Sequence, residues 1–377
     1  MRVAPASRGR GTMENEREES RHNFVKADLE NGSLRTRQRQ VLPGISRREF
    51  FQASALATGG ILLSQNLFAE EKKGDVKALI AITLDLEMAR NFPNWDDTHW
   101  DYEKGNLNEE TKKYAVEAAG RVKAHGGIIH FFLVGRALEQ ENVDWLKEIL
   151  AMGHRIGNHT YDHVFVRAKT LDEIQYIFQR APWLVEGRKP LDVIRENIRL
   201  ASAAIKARLG IEPAGFRTPG GFADGLTPTP EVQQMFLDLG FKWISCKYPA
   251  HLYGNAGSSP GQEVFDDILR AQKEAQPFIY PSGLIDIPMS PISDIGAFRN
   301  GKWKLDDFLK AVRLGVEWAI ANGAVYDFLA HPAVLSAKDP EFKALDLICD
   351  LVKNAGDRAA IVDLDTIAAQ VKAKAKI

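Results

Sequence analysis

Short apolar runs alternate with amphipathic stretches along the chain from Lys77 onward. Short runs rich in Val, Ile and Phe predict buried strands, whereas apolar positions that recur every three or four residues predict helices. The predicted strands are Ala78–Leu84, Gly127–Val134, Arg155–Gly157, Ala214–Arg217, Lys242–Cys246, Leu284–Pro288, Val325–Ala330 and Ala359–Val362. The predicted helices are Asn108–His125, Val143–Met152, Leu191–Leu209, Pro230–Leu239, Leu305–Asn322 and Glu341–Asn354.

This alternation of strand and helix favours an α/β fold with a parallel sheet and helices outside it. About seven or eight such units in roughly 300 residues fit a closed or nearly closed barrel. The sequence therefore predicts a distorted (β/α)7–8 barrel that forms one domain over residues 75–372. In such a barrel, active-site residues lie at the carboxyl ends of the strands.

The region before the barrel has a different composition. Residues 1–45 are polar and charged, which predicts a disordered segment. Ser46-Arg47-Arg48-Glu49-Phe50-Phe51 then precedes an apolar stretch that is too short and too rich in Gly, Ser and Thr to span a bilayer. Residues 46–69 thus resemble a twin-arginine export signal, although an ordinary amphipathic helix is the alternative. The resemblance predicts export by the twin-arginine machinery to the periplasm or the cell exterior, without stable membrane insertion.

The overall composition is that of a globular protein. The 377 residues are 45% apolar and 26% charged, with a formal net charge of -1. This charge balance provides no field that would recruit nucleic acid, so we expect no nucleic-acid partner. The two cysteines, Cys246 and Cys349, are predicted to be separate buried thiols, because two cysteines cannot form a disulfide framework.

Two histidines and two carboxylates suggest a metal centre. His159 and His163 are four residues apart, a spacing that places both side chains on one face of a helical turn. Asp85 and Glu87 end the first predicted strand, and alternate residues of a strand point the same way. Nitrogen and carboxylate ligands together suit zinc or a similar transition metal.

Further polar residues follow other strands of the predicted barrel. Arg217 ends the strand Ala214–Arg217, and His331 follows the strand Val325–Ala330. Because the carboxyl ends of parallel barrel strands meet at one mouth, these side chains should converge on the histidine pair. This expected convergence predicts a metal-assisted hydrolase.

Four motifs in this order resemble those of the polysaccharide deacetylase family, also called the NodB-homology or carbohydrate esterase family. Thr83-Leu84-Asp85-Leu86-Glu87 stands where the family has Thr-Phe-Asp-Asp-Gly, and His159-Thr160-Tyr161-Asp162-His163 matches His-Ser/Thr-x-x-His. Arg217-Thr218-Pro219-Gly220-Gly221 matches Arg-x-Pro-x-Gly, and Phe328-Leu329-Ala330-His331-Pro332 matches the last strand, which ends in His. The resemblance covers residues 76–335 approximately and includes the predicted barrel.

The resemblance implies removal of an acyl group, typically acetyl, from a carbohydrate by attack of a metal-bound water. It implies that His159 and His163 bind a divalent metal, with zinc favoured over cobalt, nickel or manganese. Asp85 would be the general base and would pair with Arg217, while His331 would be the general acid. The substrate would be an acylated glycan.

Two departures from the family motifs leave alternatives open. Leu86 replaces the usual metal-binding Asp, so either Glu87 or Asp85 holds the metal; we favour Glu87 as the ligand and Asp85 as the base. The family's usual acid after the fifth strand is absent, and Asp286 or Asp294 is the candidate partner of the catalytic histidine. This divergent Asp-x-Glu variant also leaves open hydrolysis of a cyclic amide or another non-peptide C–N bond, and a catalytically inactive glycan-binding protein.

Overall fold

The computed structural model describes residues 77–87 and 104–375, with only the backbone of Tyr176. The predicted disordered segment 1–45 and the predicted export signal 46–69 lie outside these residues, as does part of the loop after the first strand. The described residues fall within one compact unit, Lys72–Ile377. None of their helices combines the length and hydrophobicity that a bilayer-spanning helix requires.

The described residues contain nine strands in one sheet. They are β1 Ala78–Leu86, β2 Ile129–Leu133, β3 Arg155–Asn158, β4 Phe216–Phe222, β5 Trp243–Lys247, β6 Phe278–Ile279, β7 Ile285–Asp286, β8 Val325–Ala330 and β9 Ala359–Ile361. The strand order is β6-β7-β5-β4-β3-β2-β1-β8, and β9 pairs with β1. All of these pairs are parallel except β6–β7.

The helices follow the strands, as βαβ units require. They are α1 Glu109–Ala124, α2 Asp144–Ala151, α3 Leu171–Ile174, α4 Tyr176–Arg180, α5 Pro190–Leu209, α6 Pro230–Asp238, α7 Gln262–Glu274, α8 Leu305–Asn322, α9 Pro332–Lys338, α10 Lys343–Ala355 and α11 Leu364–Lys374. The first helix begins as its sequence predicts, because the side chain of Asn108 accepts the backbone N–H of Thr111.

The sheet curls into the distorted (β/α) barrel that the sequence predicts. Its strand path ends at β6 and β8, and the segment after β7 joins β8 through two hydrogen bonds. The backbone N–H of Ser290 donates to the carbonyl oxygen of Asp327 at 3.0 Å, and the N–H of Asp327 donates to Ser290 Oγ at 3.0 Å. The predicted strands and helices are confirmed within a few residues, whereas β6, α3, α4, α7, α9 and α11 were not predicted.

The side chains of β1 point alternately to the outside and to the inside of the barrel. Its outward side chains join the main core between the sheet and the helices: Ala78, Ile80, Ile82, Leu84 and Leu86. Its inward side chains change from apolar to polar along the barrel: Leu79, Ala81, Thr83 and Asp85, followed by Glu87 just beyond the strand. Side chains of α11 pack against Leu79 and Ala81, so the amino end of the barrel is filled with apolar groups. The polar residues of β1 therefore lie at its carboxyl end.

The two cysteines are free and buried, as predicted. Cys246 lies in β5 and Cys349 in α10, so each occupies a separate element of the fold.

Candidate metal centre and active site

Three predicted site residues converge at the carboxyl end of the barrel. One ligand atom from each of Glu87, His159 and His163 lies within 4.8 Å of the other two. His159 Nε2 is 2.8 Å from Glu87 Oε2, and His163 Nε2 contacts the same oxygen. Two neutral imidazoles and a carboxylate form the ligand set of many catalytic zinc sites. The three residues therefore form the candidate metal centre.

The histidine pair lies on a loop, so the expectation of a helical turn is wrong. The segment after β3 is irregular, with positive backbone φ angles of 61° at Thr160 and 59° at His163. The side chain of Asn158 accepts the N–H of Thr160 at 2.7 Å and donates to the carbonyl oxygen of Ile198 at 2.8 Å. Left-handed residues are costly in non-glycine positions, and such turns persist where surrounding contacts fix them. Polar side-chain contacts of Asn158, rather than helix periodicity, thus bring the two imidazoles together.

The protonation of His159 supports a cation between these ligands. Its Nδ1 lies 2.9 Å from the backbone carbonyl oxygen of Arg217, so Nδ1 carries the proton and donates it. In the neutral ring, Nε2 then presents a lone pair to the carboxylate of Glu87, and two acceptors repel each other. A cation bound by both groups removes this conflict, and a backbone carbonyl behind a ligating histidine is the usual means of fixing its tautomer. The residues present therefore fit a divalent metal.

Burial and charge shift the pKa values of this cluster. Burial alone would raise the pKa of Glu87, but positive charge at His163 and Lys104 and the close contacts of both imidazoles hold it well below its ordinary value. Burial lowers the pKa of His163 to about 4, although Glu87 opposes this shift. At neutral pH, His163 is therefore an uncharged imidazole and Glu87 a carboxylate, which are the forms that bind metal ions.

Asp85 lies beside the candidate metal centre and pairs with Arg217, as the resemblance implied. Arg217 Nη1 is 3.1 Å from Asp85 Oδ1, and Asp85 Oδ2 is 3.9 Å from His159 Nε2. Within the described residues, the metal-compatible set includes Glu87 and excludes Asp85. This geometry favours Glu87 as the ligand.

Arg217 is fully buried and held by more partners than the sequence indicated. Its Nη2 is 2.5 Å from Asp327 Oδ2, its Nη1 donates to Thr83 Oγ1 at 2.6 Å, and its Nε donates to Ser245 Oγ at 3.2 Å. Burial raises the pKa of Asp327 to about 6, although the charge of Arg217 and a hydrogen bond from Thr83 oppose the shift. A buried guanidinium requires such compensation because an unpaired buried charge is strongly unfavourable.

His331 reaches the site from β8, and its partner is Asp294. His331 Nδ1 lies 2.9 Å from Asp294 Oδ1, and His331 Nε2 lies 3.4 Å from Glu87 Oε1. Burial alone would lower the pKa of His331, but the charge and hydrogen bond of Asp294, together with Glu87, raise it to about 10. The other candidate partner, Asp286, instead accepts hydrogen bonds from Tyr280 and from the backbone of Cys246. Between the two acids proposed from the sequence, Asp294 therefore supports the histidine.

Three residues of the site were not predicted from the sequence: Lys104, Thr83 and Asp327. The inward-facing register of β1 could have revealed Thr83, because it lies two residues before Asp85. Asp327, an acid inside the apolar run of β8, was also a recognisable signal. Lys104 follows a long loop and has no pattern that distinguishes it from a surface lysine.

The barrel and its histidine–carboxylate cluster define a (β/α) barrel protein with a candidate metal centre at the strand ends. Residues 102–235 match the family model described as polysaccharide deacetylase. This match confirms the resemblance to the polysaccharide deacetylase, or NodB-homology, family that the motifs predicted. The matched span includes His159, His163 and Arg217, whereas Asp85 and Glu87 precede it.

Solved structures share the fold at low sequence identity. A protein assigned as a polysaccharide deacetylase of Mycobacterium smegmatis has a TM-score of 0.53 and 16% identity, with 80% of this chain and 92% of that chain covered. A probable polysaccharide deacetylase of Pseudomonas aeruginosa PAO1 has a TM-score of 0.54 and 15% identity, with coverages of 79% and 92%. Puue allantoinase has a TM-score of 0.51 and 15% identity, with coverages of 78% and 90%. No curated protein sequence matches the chain.

Proposed function

We propose that the chain is a metal-dependent hydrolase that removes acyl groups, most simply acetyl, from a carbohydrate. The observation that carries this proposal is the convergence of three groups of side chains at one barrel mouth. They are the candidate ligands Glu87, His159 and His163, the pair Asp85–Arg217, and the pair His331–Asp294. The match of residues 102–235 to the polysaccharide deacetylase model supports a carbohydrate substrate.

The proposed resident cofactor is a divalent transition metal, with zinc favoured and cobalt, nickel or manganese as alternatives. Glu87 Oε2, His159 Nε2 and His163 Nε2 would hold it, since these atoms face one another. When bound, such a cation supplies polarisation of the acyl carbonyl and a lowered pKa for a coordinated water.

Asp85 is the proposed general base. Arg217 engages Oδ1, which leaves Oδ2 directed toward the ligand cluster, 3.9 Å from His159 Nε2. The carboxylate of Glu87 is less suitable, because both of its oxygens are engaged by the histidines and by Lys104. A carboxylate in this arrangement can accept a proton from an attacking water through the oxygen that the arginine does not contact.

His331 is the proposed general acid that protonates the leaving amine or alkoxide. Its ring is oriented from behind by Asp294, so Nε2 points into the ligand cluster from the side of Glu87 Oε1. Asp85 lies in β1 and His331 directly follows the neighbouring strand β8, so both reach the same mouth. Two groups placed around one reacting centre can divide the base and acid roles.

A second candidate reaction is hydrolysis of a small cyclic amide. The cluster is deeply enclosed: Asp85, Glu87, His159 and His331 are each between 1% and 6% exposed. An enclosed site suits a compact substrate, whereas a polymer needs an open groove. Puue allantoinase shares the fold of this chain. This likeness concerns the fold and not the reaction.

The test is release of acetate from a panel of acetylated oligosaccharides, with cyclic amides assayed in parallel, with and without chelator. We expect acetate release that chelation abolishes and that added zinc or cobalt restores. Turnover of cyclic amides alone would establish the second candidate, and no turnover of either class by the metal-loaded protein would indicate an inactive binding protein.

Metal analysis tests the centre independently of turnover. The purified protein is expected to contain about one transition-metal ion per chain. The double variant His159→Ala, His163→Ala should lose it, whereas His125→Ala, at an exposed position, should retain it. Stoichiometric metal in the double variant would reject this site.

We also propose that the chain is exported through the twin-arginine route. The support is the order of Arg47, Arg48 and the following apolar stretch in the sequence. In a bacterial host, Arg47→Lys with Arg48→Lys should keep the protein in the cytoplasm, while Arg35→Lys with Arg37→Lys should not. Equal amounts of both variants in the periplasmic fraction would contradict the proposal.

A further inference from the structure

A buried lysine touches the carboxylate of the candidate metal centre. The side chain of Lys104 is fully buried, and its Nζ lies 2.5 Å from Glu87 Oε1. Burying an ammonium group is costly unless a charged partner compensates it. A lysine at this place is therefore a feature of the site rather than of the surface.

The backbone next to Lys104 is fixed against the same residue. The N–H of Gly105 donates to the carbonyl oxygen of Glu87 at 3.1 Å. Gly105 has a φ of +85°, and a Cβ atom there would lie 2.5 Å from the Cβ of Arg136. Only glycine satisfies both the positive φ and this close approach. Arg136 in turn contacts the histidine loop, because its Nε is 2.6 Å from Asp162 Oδ1 in that loop.

The two oxygens of Glu87 consequently have different neighbours. Oε1 faces Lys104, at 2.5 Å, and His331, at 3.4 Å. Oε2 faces the Nε2 atoms of His159 and His163. A carboxylate can bind a metal ion through one oxygen or through both. Here the ammonium group of Lys104 already engages the second oxygen, Oε1.

We propose that Lys104 is a positioning residue that restricts Glu87 to one-oxygen ligation and offsets its negative charge. The inference rests on the metal centre of the proposed function and goes beyond it by assigning a residue outside the four motifs. With Lys104 in place, the carboxylate and the ammonium together contribute no net charge beside the cation. A cation held there would keep more of its own charge for polarising a substrate.

The expected effect on metal affinity has a definite sign. Residues that accept a hydrogen bond from a metal ligand make that ligand more basic, and their removal weakens metal binding by about 10–100-fold. Lys104 has the opposite character, because its positive charge repels the cation and weakens the carboxylate as a donor. Its removal should therefore tighten metal binding while lowering turnover. A lysine that merely fills space would change neither quantity in this way.

The experiment uses the full chain, stripped of metal and titrated with zinc or cobalt against a chromophoric chelator. Lys104→Met, which keeps the length and removes the charge, should bind the metal severalfold more tightly than the unaltered protein, because the repulsion between the ammonium group and the cation is gone. Lys104→Arg should stay close to the unaltered protein, and so should Lys113→Met, which alters an exposed lysine. The visible bands of the cobalt form should weaken in Lys104→Met, as expected when Glu87 binds through both oxygens and the coordination number rises.

Three outcomes would overturn the inference. The metal affinity of Lys104→Met could equal that of the unaltered protein, or it could be weaker although the variant is folded. The Lys104→Met and Lys104→Arg variants could also bind the metal with equal affinity. Where Lys104→Met does not fold, Lys104→Gln replaces it, since an amide can donate to Glu87 without a charge. An unaltered protein that binds no metal would instead refute the proposed function. If the unaltered protein binds metal and the Lys104 variants bind it with the same affinity, only this inference is refuted.

Discussion

His331 and Asp294 contact each other twice. Nδ1 of the imidazole is 2.9 Å from Asp294 Oδ1, and the backbone N–H of His331 donates to Asp294 Oδ2 at 2.7 Å. Both carboxylate oxygens are thereby engaged by one residue, and the side chain of Asp294 is fully buried. The ring is held in one orientation, with Nε2 toward Glu87.

Asp294→Asn should therefore reduce turnover without removing the metal. The amide lacks the negative charge behind the imidazole, and only its oxygen can accept a hydrogen bond from His331. We expect kcat for acetate release to fall by about 10²–10³-fold, within the range for loss of general acid–base catalysis, with a small change in KM. Steady-state kinetics and metal analysis measure the two quantities.

The matched control for this variant is Asp286→Asn. Asp286 is equally buried, but it accepts hydrogen bonds from Tyr280 and the backbone of Cys246 rather than from His331. It should alter stability more than kcat. Equal losses of kcat in the two variants would mean that Asp294 acts only as a structural carboxylate.

Asp85→Asn should abolish turnover while the protein stays folded and metal-loaded. An amide cannot accept a proton as a base, although it can still accept the hydrogen bond from Arg217. Glu87→Gln is the contrasting variant, because loss of the ligand carboxylate should remove metal as well as activity. A metal-free Asp85→Asn protein would show that the assignment of base and ligand is reversed.

The sequence predicted the barrel because local signals and the overall architecture agree. In β1, a continuous apolar run predicted a buried strand, and the alternation of side chains along a strand placed Asp85 and Glu87 on one side. The helix α1 begins where the sequence predicted, and Asn108 caps it. The helix α7 follows Gly261, which offers no side-chain cap. The helix α11 was missed although Asp363 caps it by accepting the N–H of Thr366, as Asn108 does for Thr111.

The site was predicted in part, for the same physical reasons. Strand ends meet at one mouth in a parallel barrel, so the convergence of Asp85, Arg217 and His331 followed from topology. The geometry of the histidine loop did not follow, because positive φ angles at Thr160 and His163 depend on tertiary hydrogen bonds. Lys104 was beyond prediction, since only the fold shows that a lysine after a long loop returns to Glu87.

Loss of Asp327 should destabilise the protein far more than loss of a surface acid. Asp327 and Arg217 are both fully buried and lie 2.5 Å apart, so Asp327→Ala leaves a buried guanidinium with one fewer anionic partner. Breaking such a pair costs about 3–5 kcal/mol. Denaturant unfolding with linear extrapolation measures the change in the free energy of unfolding.

The surface pair Arg195–Asp238 provides the comparison. These side chains are 38% and 45% exposed, and Asp238→Ala should cost about 0–1 kcal/mol. A similar small cost for Asp327→Ala would show that Asp85, Thr83 and Ser245 suffice to compensate Arg217.

The buried His130 should make stability fall in acid. Burial lowers the pKa of His130 to about 4, although the charge of Asp365 and the hydrogen bond to the Ala214 carbonyl oppose the shift. The unfolded chain has a histidine pKa of about 6.5, so between about pH 6.5 and 4 the unfolded state binds more protons than the folded state. The contribution of His130 is therefore fully present above about pH 6.5 and is lost as the pH falls through that window.

The slope that a single histidine adds is at most about 1.4 kcal/mol per pH unit. In His130→Gln, whose amide can still donate to Ala214, the free energy of unfolding should decline less steeply between about pH 6.5 and 4.5. Urea unfolding at several pH values gives the slope. His125→Gln, at an exposed position, should keep the original slope. If His130→Gln also keeps it, the acid sensitivity arises elsewhere, for example at His154, where burial likewise lowers the pKa to about 4.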